Sequence, residues 1–203
     1  LFNLFSWQTI NAEGKTVRLI KNVYEKVAKK NGKTALMAGL ALFVMAFDEE
    51  SGADVYSGAT KKDQAKLSFD QAKEFVNASS VLQAIGFVNY QSSISFLRGK
   101  RLLGTFKPLE KNAESQDGIN SHLSIIDEYH AHPSDKLKEN LESSAAERLQ
   151  PITYTITTAG TNVHGVCKNF EDSCINILEN VSEDDTFLIM IHDLDKNDDW
   201  EDK

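Results

Sequence analysis

The chain has 203 residues, 41% apolar and 26% charged, with 11 Gly and 3 Pro. That suits one globular domain and excludes collagen-like, low-complexity and wholly disordered chains. Its 22 basic and 30 acidic side chains leave a formal charge of −8, the wrong sign for a protein basic over its whole surface. Two cysteines, Cys167 and Cys174, make neither a disulfide framework nor a zinc ribbon and suit a reducing, cytoplasmic setting.

The charge is unevenly spread. Residues 1–34 carry seven Lys/Arg against two Glu, residues 61–111 nine basic against four acidic, and residues 183–203 nine acidic against two Lys. A local basic surface on an acidic chain is therefore expected. The longest apolar run, Ala35 to Phe47, has 13 residues, about 20 Å as a helix and too short to cross a bilayer. Leu1 to Trp7 shows no initiator Met, basic leader or small-residue cleavage site, so the sequence reads as a piece of a longer chain.

In chain order, Asn11 to Gly14 is a turn and Val17 to Ala28 one or two strands. Lys29 to Thr34 breaks the pattern and opens the apolar helix. A short strand follows at Ala53 to Ala59, then a helix from Lys62 to Val76 with Ala65, Phe69, Ala72, Phe75 and Val76 at helical spacing. Ser93 to Leu97 and Leu102 to Phe106 read as strands around a Gly99 turn. His122 to Ile126, Ile152 to Thr158 and Thr186 to Ile191 are strands, with helices at Asp135 to Ala146 and Val166 to Leu178. Strands alternating with helices of this length predict a three-layer α/β domain on a mainly parallel sheet. Its chemistry belongs in the loops after the carboxyl ends of strands.

Two such loops stand out. Val27-Ala28-Lys29-Lys30-Asn31-Gly32-Lys33-Thr34 lies between a strand and a helix. It offers backbone N–H groups, a Lys for β/γ-phosphates and a Thr hydroxyl for Mg²⁺. It is a degenerate Walker A, because Val27 stands where the first glycine belongs; a plain basic turn before a core helix contains the same residues. Gly14-Lys15-Thr16 is followed by strand-like residues and is read as a hairpin turn. The second loop follows the apolar strand Leu123 to Ile126, which delivers Asp127 and Glu128. This is a Walker B arrangement, an Asp for the Mg²⁺ shell and a Glu for the attacking water, although an isolated Asp-Glu can also be a helix cap. At the end of the next strand, Thr157 and Thr158 are placed to contact a γ-phosphate or lytic water, although the stretch taken alone reads as an ordinary strand-end turn. His130 and His132 are expected to pack the loop after Asp127-Glu128, and Cys167 and Cys174 to face the core.

With these residues in place the chain resembles the ATPase domain of tailed-phage large terminase subunits. The matching pieces, in order, are Leu4 to Trp7 before the Gly14 turn, Val27 to Thr34, Ala59 to Ala65, Asp117-Gly118, Ile125 to His132, Arg148 to Pro151 and Thr157 to Gly160. The resemblance implies an additional-strand (ASCE) P-loop fold and ATP hydrolysis that drives double-stranded DNA into a procapsid. It also implies ATP and Mg²⁺ as cofactors, portal protein and small terminase subunit as partners, a homo-oligomeric ring, and the cytoplasm of an infected bacterium. It assigns Lys29, Lys30, Asn31, Gly32, Lys33 and Thr34 to the phosphate loop, where the family often has Arg at the Lys29 or Lys30 place. Thr34 and Asp127 go to Mg²⁺, Glu128 to the water, and Thr157 and Thr158 to γ-phosphate coupling. Arg98, Arg101 and Arg148 are candidates for an arginine finger, acting in cis or from a neighbouring subunit. Lys61, Lys62, Arg98, Lys100 and Arg101 are candidates for DNA phosphates, and Gln8 for adenine. Residues 1–192 then form the ATPase domain and 193–203, with Asp195, Asp198 and Asp199, the acidic start of a linker to a nuclease domain. A P-loop helicase or other DNA-remodelling ATPase and a non-catalytic nucleotide-binding module share the same motifs.

Overall fold

In a computed structural model, which describes residues 2–48, 50, 52–109 and 119–193, the β-branched runs assemble into one large sheet. Before it come helix α1 (Phe2–Ser6) and strands β1 (Gln8–Ile10) and β2 (Thr16–Arg18). β1 and β2 pair antiparallel, and Gly14 between them takes a φ of 76°, a conformation open to glycine at little cost. The first Gly-Lys-Thr is thus a hairpin turn, as expected.

The main body runs β3 (Asn22–Lys26), α2 (Lys33–Phe47), β4 (Ala53–Gly58), α3 (Lys62–Ala78), α4 (Ser80–Ile85), β5 (Phe87–Asn89), β6 (Ile94–Arg98) and β7 (Arg101–Pro108). It continues with β8 (Leu123–Ile126), a 3₁₀ turn (Tyr129–Ala131), α5 (Lys136–Ser144), β9 (Ile152–Thr157), α6 (Val166–Leu178) and β10 (Phe187–Ile191). The eight-stranded sheet has the order β10-β3-β9-β8-β4-β7-β6-β5. Pairing is parallel from β10 to β7, and β6 and β5 close one edge antiparallel. The mainly parallel three-layer architecture expected from the alternation is present.

Period two in the strands divides the core between two faces. Val55, Phe106, Leu123 and Ile125 pack with the buried side of α2 and α3. Tyr56 and Ile126 point the other way and join Tyr129, Leu141 and Phe170. Helix α2 is nearly apolar all round because it is nearly enclosed: Met37, Ala38, Leu40, Ala41, Leu42, Val44 and Met45 are buried.

Two consequences matter for the site. β3, β9 and β8 are neighbours, with Lys26 level with Thr157 and Ile126 level with Thr155, so the loops after them emerge side by side. α2 runs back from there, and its 15 residues place Phe47 about 21 Å from Lys33.

Candidate functional site

The loop from Val27 to Gly32 springs from β3 with its first residue still paired to the neighbouring strand, Val27 N–H donating to Thr157 O at 3.1 Å. Lys30 and Gly32 both take left-handed backbone, at φ 68° and 76°. Alternation of such residues with right-handed ones turns successive N–H groups inward, the geometry of an anion nest. The Gly32 carbonyl then accepts from Leu36 N–H at 3.0 Å, starting α2 with its positive end toward the loop. Asn31 ties the loop by donating to Ala28 O at 3.2 Å. Lys33 and Thr34 are the first two residues of α2.

β8 brings the carboxylates to the same rim. Asp127 is 6% exposed, and its backbone N–H donates to Gly58 O at 2.9 Å. Its carboxylate accepts from Glu128 N–H at 2.8 Å. Burial pushes its pKa above the usual carboxylate range, against the pull of that hydrogen bond. A buried carboxylate of raised pKa lowers its cost by meeting a cation. Its carboxylate and the Thr34 hydroxyl are oxygen donors of the hard type that Mg²⁺ takes. Glu128 sits in left-handed backbone at φ 49°, turning its carboxylate toward α2, where Oε1 lies 3.3 Å from Lys33 Nζ.

β9 completes the rim. Thr157 and Thr158 are buried, and Thr158 Oγ1 donates to Glu128 Oε2 at 3.5 Å. His130, expected only to pack the loop, places Nδ1 3.2 Å from Glu128 Oε2 and 3.0 Å from Thr157 Oγ1. Burial lowers its pKa, opposed by the charge of Glu128 and reinforced by Lys33 and Lys29. His132 lies at 3.1 Å from Asp127 O, and burial lowers its pKa too. His130 carried no sequence signal beyond its place on the turn after the carboxylates.

Lys33, Glu128, Thr157 and Thr158 are thus brought together, with the loop residues and Asp127 on the same rim. The three arginines are not. Arg98 and Arg101 face each other at the tip of the β6–β7 hairpin, and Ala53, the first residue of β4, is level with Gly104. Arg101 therefore lies beyond the amino end of the parallel strands. Both arginines line a cavity with Met45, Ala46 and Phe47 at the far end of α2. Arg148 is at the same end, donating from Nε to Asn120 Oδ1 at 2.7 Å and pairing with Glu50 at 3.4 Å. A helix length separates all three from Lys33, so within one chain they do not meet this rim. The expected basic surface also divides: Lys61 caps α3 at the carboxyl end of β4, whereas Lys100 turns the hairpin at the amino end. Gln8 lines a pocket with Arg18, Phe47 and Asp48, again at the end remote from the loop, so it is no adenine contact. Lys111, Asp117, Gly118, Asp195, Asp198 and Asp199 lie outside the described residues.

Asp193, expected to begin a solvated linker, pairs with Lys26 Nζ at 2.6 Å, and His192 N–H donates to Lys26 O at 2.9 Å. Lys26 also contacts Glu171 at 3.1 Å. Cys174 is buried as expected and Cys167 half-buried.

Comparison with known proteins matches residues 2–175 to the family model of the terminase large subunit, ATPase domain. The protein YmfN of Escherichia coli K12 is 35% identical over 95 residues, 46% of this chain and 21% of that protein. The large terminase subunit of Enterobacteria phage HK97 is 28% identical over 144 residues, 67% of this chain and 27% of that protein. This chain thus spans about a quarter of the length of these relatives. Among solved structures, the HK97 large terminase superposes with a TM-score of 0.77 at 21% identity, over 98% of this chain and 39% of that one. The large terminase of a thermophilic bacteriophage in complex with ADP superposes with a TM-score of 0.60 at 10% identity, over 87% and 41%. These structural likenesses establish the shared fold. Among the described residues, no helix is long and apolar enough to cross a membrane.

Proposed function

This chain belongs to the terminase large subunit ATPase-domain family, and from that footing we propose that it hydrolyses ATP to drive double-stranded viral DNA into a procapsid. The observation that carries the reading is the meeting of Lys33 and Glu128 at 3.3 Å on the rim where a phosphate loop, a helix N-terminus and a buried Asp127 converge. Lys29 to Gly32 wrap the phosphates with backbone N–H groups, and Lys33 neutralises the β- and γ-oxygens. Thr34 and Asp127 would hold Mg²⁺, which would neutralise charge on the phosphates. Glu128 orients the attacking water and takes up its proton, and Thr157 and Thr158 bear on the γ-phosphate side of the same pocket.

Charge developing on the transferred phosphoryl calls for one more cation. Arg98, Arg101 and Arg148 lie at the other end of the sheet from their own phosphate loop, so a finger drawn from them belongs to a neighbouring subunit in a ring. DNA is held through its phosphates by Lys61 and its basic neighbours, without base readout. The portal protein and small terminase subunit are the protein partners, the bacterial host cytoplasm is the setting, and residues from 193 onward lead toward a nuclease domain.

The test is DNA-dependent ATP turnover by the purified protein, with Glu128→Gln as the diagnostic variant. Retained nucleotide affinity with turnover lost supports the assignment; near-normal hydrolysis refutes it.

A further inference from the structure

Glu128 is held from two sides. Lys33 Nζ approaches Oε1 at 3.3 Å, while His130 Nδ1 at 3.2 Å and Thr158 Oγ1 at 3.5 Å approach Oε2. The proton at Nδ1 follows from counting donors. Thr157 Oγ1 donates its proton to Thr158 O at 3.0 Å and accepts the His130 backbone N–H at 3.0 Å. Toward Nδ1, 3.0 Å away, it offers only a lone pair. The ionised Glu128 carboxylate likewise only accepts. Thr158 Oγ1 also faces Nδ1, at 3.4 Å, but its proton goes to Glu128; three oxygens that only accept there require that nitrogen to carry the hydrogen, so His130 donates to Glu128.

The other side of the carboxylate is less permanent. Lys33 is also the lysine for the β- and γ-phosphates, whose charge exceeds that of one carboxylate. When nucleotide enters, Lys33 is drawn to it and Glu128 loses that partner. His130 keeps its place, because its own backbone is fastened to the end of β9 and its Cβ packs on Gly160, where an added Cβ would come within 2.8 Å.

We propose that His130 is a positioning residue that holds Glu128 in its water-orienting place once nucleotide has taken Lys33. This rests on the reading of Glu128 given above. A misplacement of the order of 1 Å costs about a hundredfold in rate, which sets the scale of the effect.

The test compares His130→Asn with His130→Gln in the purified protein, alongside Glu128→Gln. The Asn amide nitrogen reaches the place of Nδ1, and that of Gln reaches the place of Nε2. His130→Asn is expected to keep kcat within about threefold, and His130→Gln to lose about tenfold to a hundredfold, with KM for ATP and nucleotide affinity unchanged in both. His130→Ala should match His130→Gln. Equal kcat in the Asn and Gln variants overturns the proposal, as does a change confined to KM. Turnover surviving in Glu128→Gln defeats the underlying reading of Glu128 instead. An inactive Glu128→Gln beside a fully active His130→Gln removes the role of His130 alone.

Discussion

Lys33 and Glu128 stand 95 residues apart in the chain and 3.3 Å apart in space, because β9 lies between β3 and β8 and brings both loops to one rim. In this arrangement the lysine rests on the carboxylate that phosphates would displace. The two side chains therefore fail differently when removed. Lys33→Ala is expected to weaken nucleotide binding at least tenfold and abolish turnover, while Glu128→Gln keeps affinity within about twofold and lowers kcat by a hundredfold or more. Equilibrium binding of a fluorescent ATP analogue beside steady-state hydrolysis separates the two. Equal loss of affinity in both variants would contradict the division of roles.

All four arginines of the sequence, Arg18, Arg98, Arg101 and Arg148, lie toward the amino ends of the parallel strands. The finger hypothesis then has a measurable consequence in concentration. Arg98→Ala and Arg101→Ala should leave nucleotide affinity of the dissociated subunit unchanged. A finger among them lowers turnover only under conditions where subunits assemble, by about a thousandfold for the residue that acts. Hydrolysis followed across a range of protein concentrations reads this directly, and a loss equally large in the dilute, dissociated protein would place the arginine in its own site.

Arg148 has a structural task whatever its part in assembly. Its guanidinium, with a side chain 8% exposed, joins Glu50, the Gly52 carbonyl and both oxygens of Asn120. Removing it leaves a half-buried carboxylate and three carbonyl oxygens without that partner. Arg148→Ala should cost about 3 kcal/mol in unfolding free energy by urea titration, and Arg148→Lys, which keeps the charge and loses the fork, about half of that. An unaltered urea midpoint in Arg148→Ala would show that the cluster does not hold the fold.

The long elements are legible because they carry their own period: α2, α3 and α6 fall where apolar spacing puts them, and Val166–Leu178 matches at both ends. The short α1, α4, β1 and β5, of three to six residues, span less than two turns or two pleats and leave no pattern. The phosphate loop and Asp127-Glu128 are readable because each motif is contiguous and follows a strand. The arginines are misleading in the sequence because their placement depends on strand direction across β4, β6 and β7, which spacing does not encode. The contacts of His130 with Thr157 and Thr158 are not legible there because they arise only when β9 lies beside the turn.

A buried polar cluster at the amino end is equally invisible, its members scattered through the sequence, and it makes stability depend on pH. His122 is fully buried with Nε2 at 2.6 Å from Asp48 and Nδ1 at 3.3 Å from Glu50. Burial alone would depress its pKa, but the two carboxylates outweigh burial and raise it. Glu50, despite its own burial, is held down to about 2 by His122, the Gln150 amide and Arg148. A histidine with raised pKa contributes fully below its unfolded value, about 6.5, and loses that contribution as pH rises through its folded value. A carboxylate with depressed pKa contributes above its unfolded value of 4.5 and loses it as pH falls toward about 2. The cluster is therefore at full strength between about pH 4.5 and 6.5. Unfolding free energy should fall as pH climbs above that window, and His122→Gln should flatten the fall. The variant's deficit, about 3 kcal/mol at pH 6, should narrow at pH 9. Urea titrations of both proteins at the two pH values measure it, and a deficit of the same size at each would mean that folding leaves the pKa of His122 unshifted.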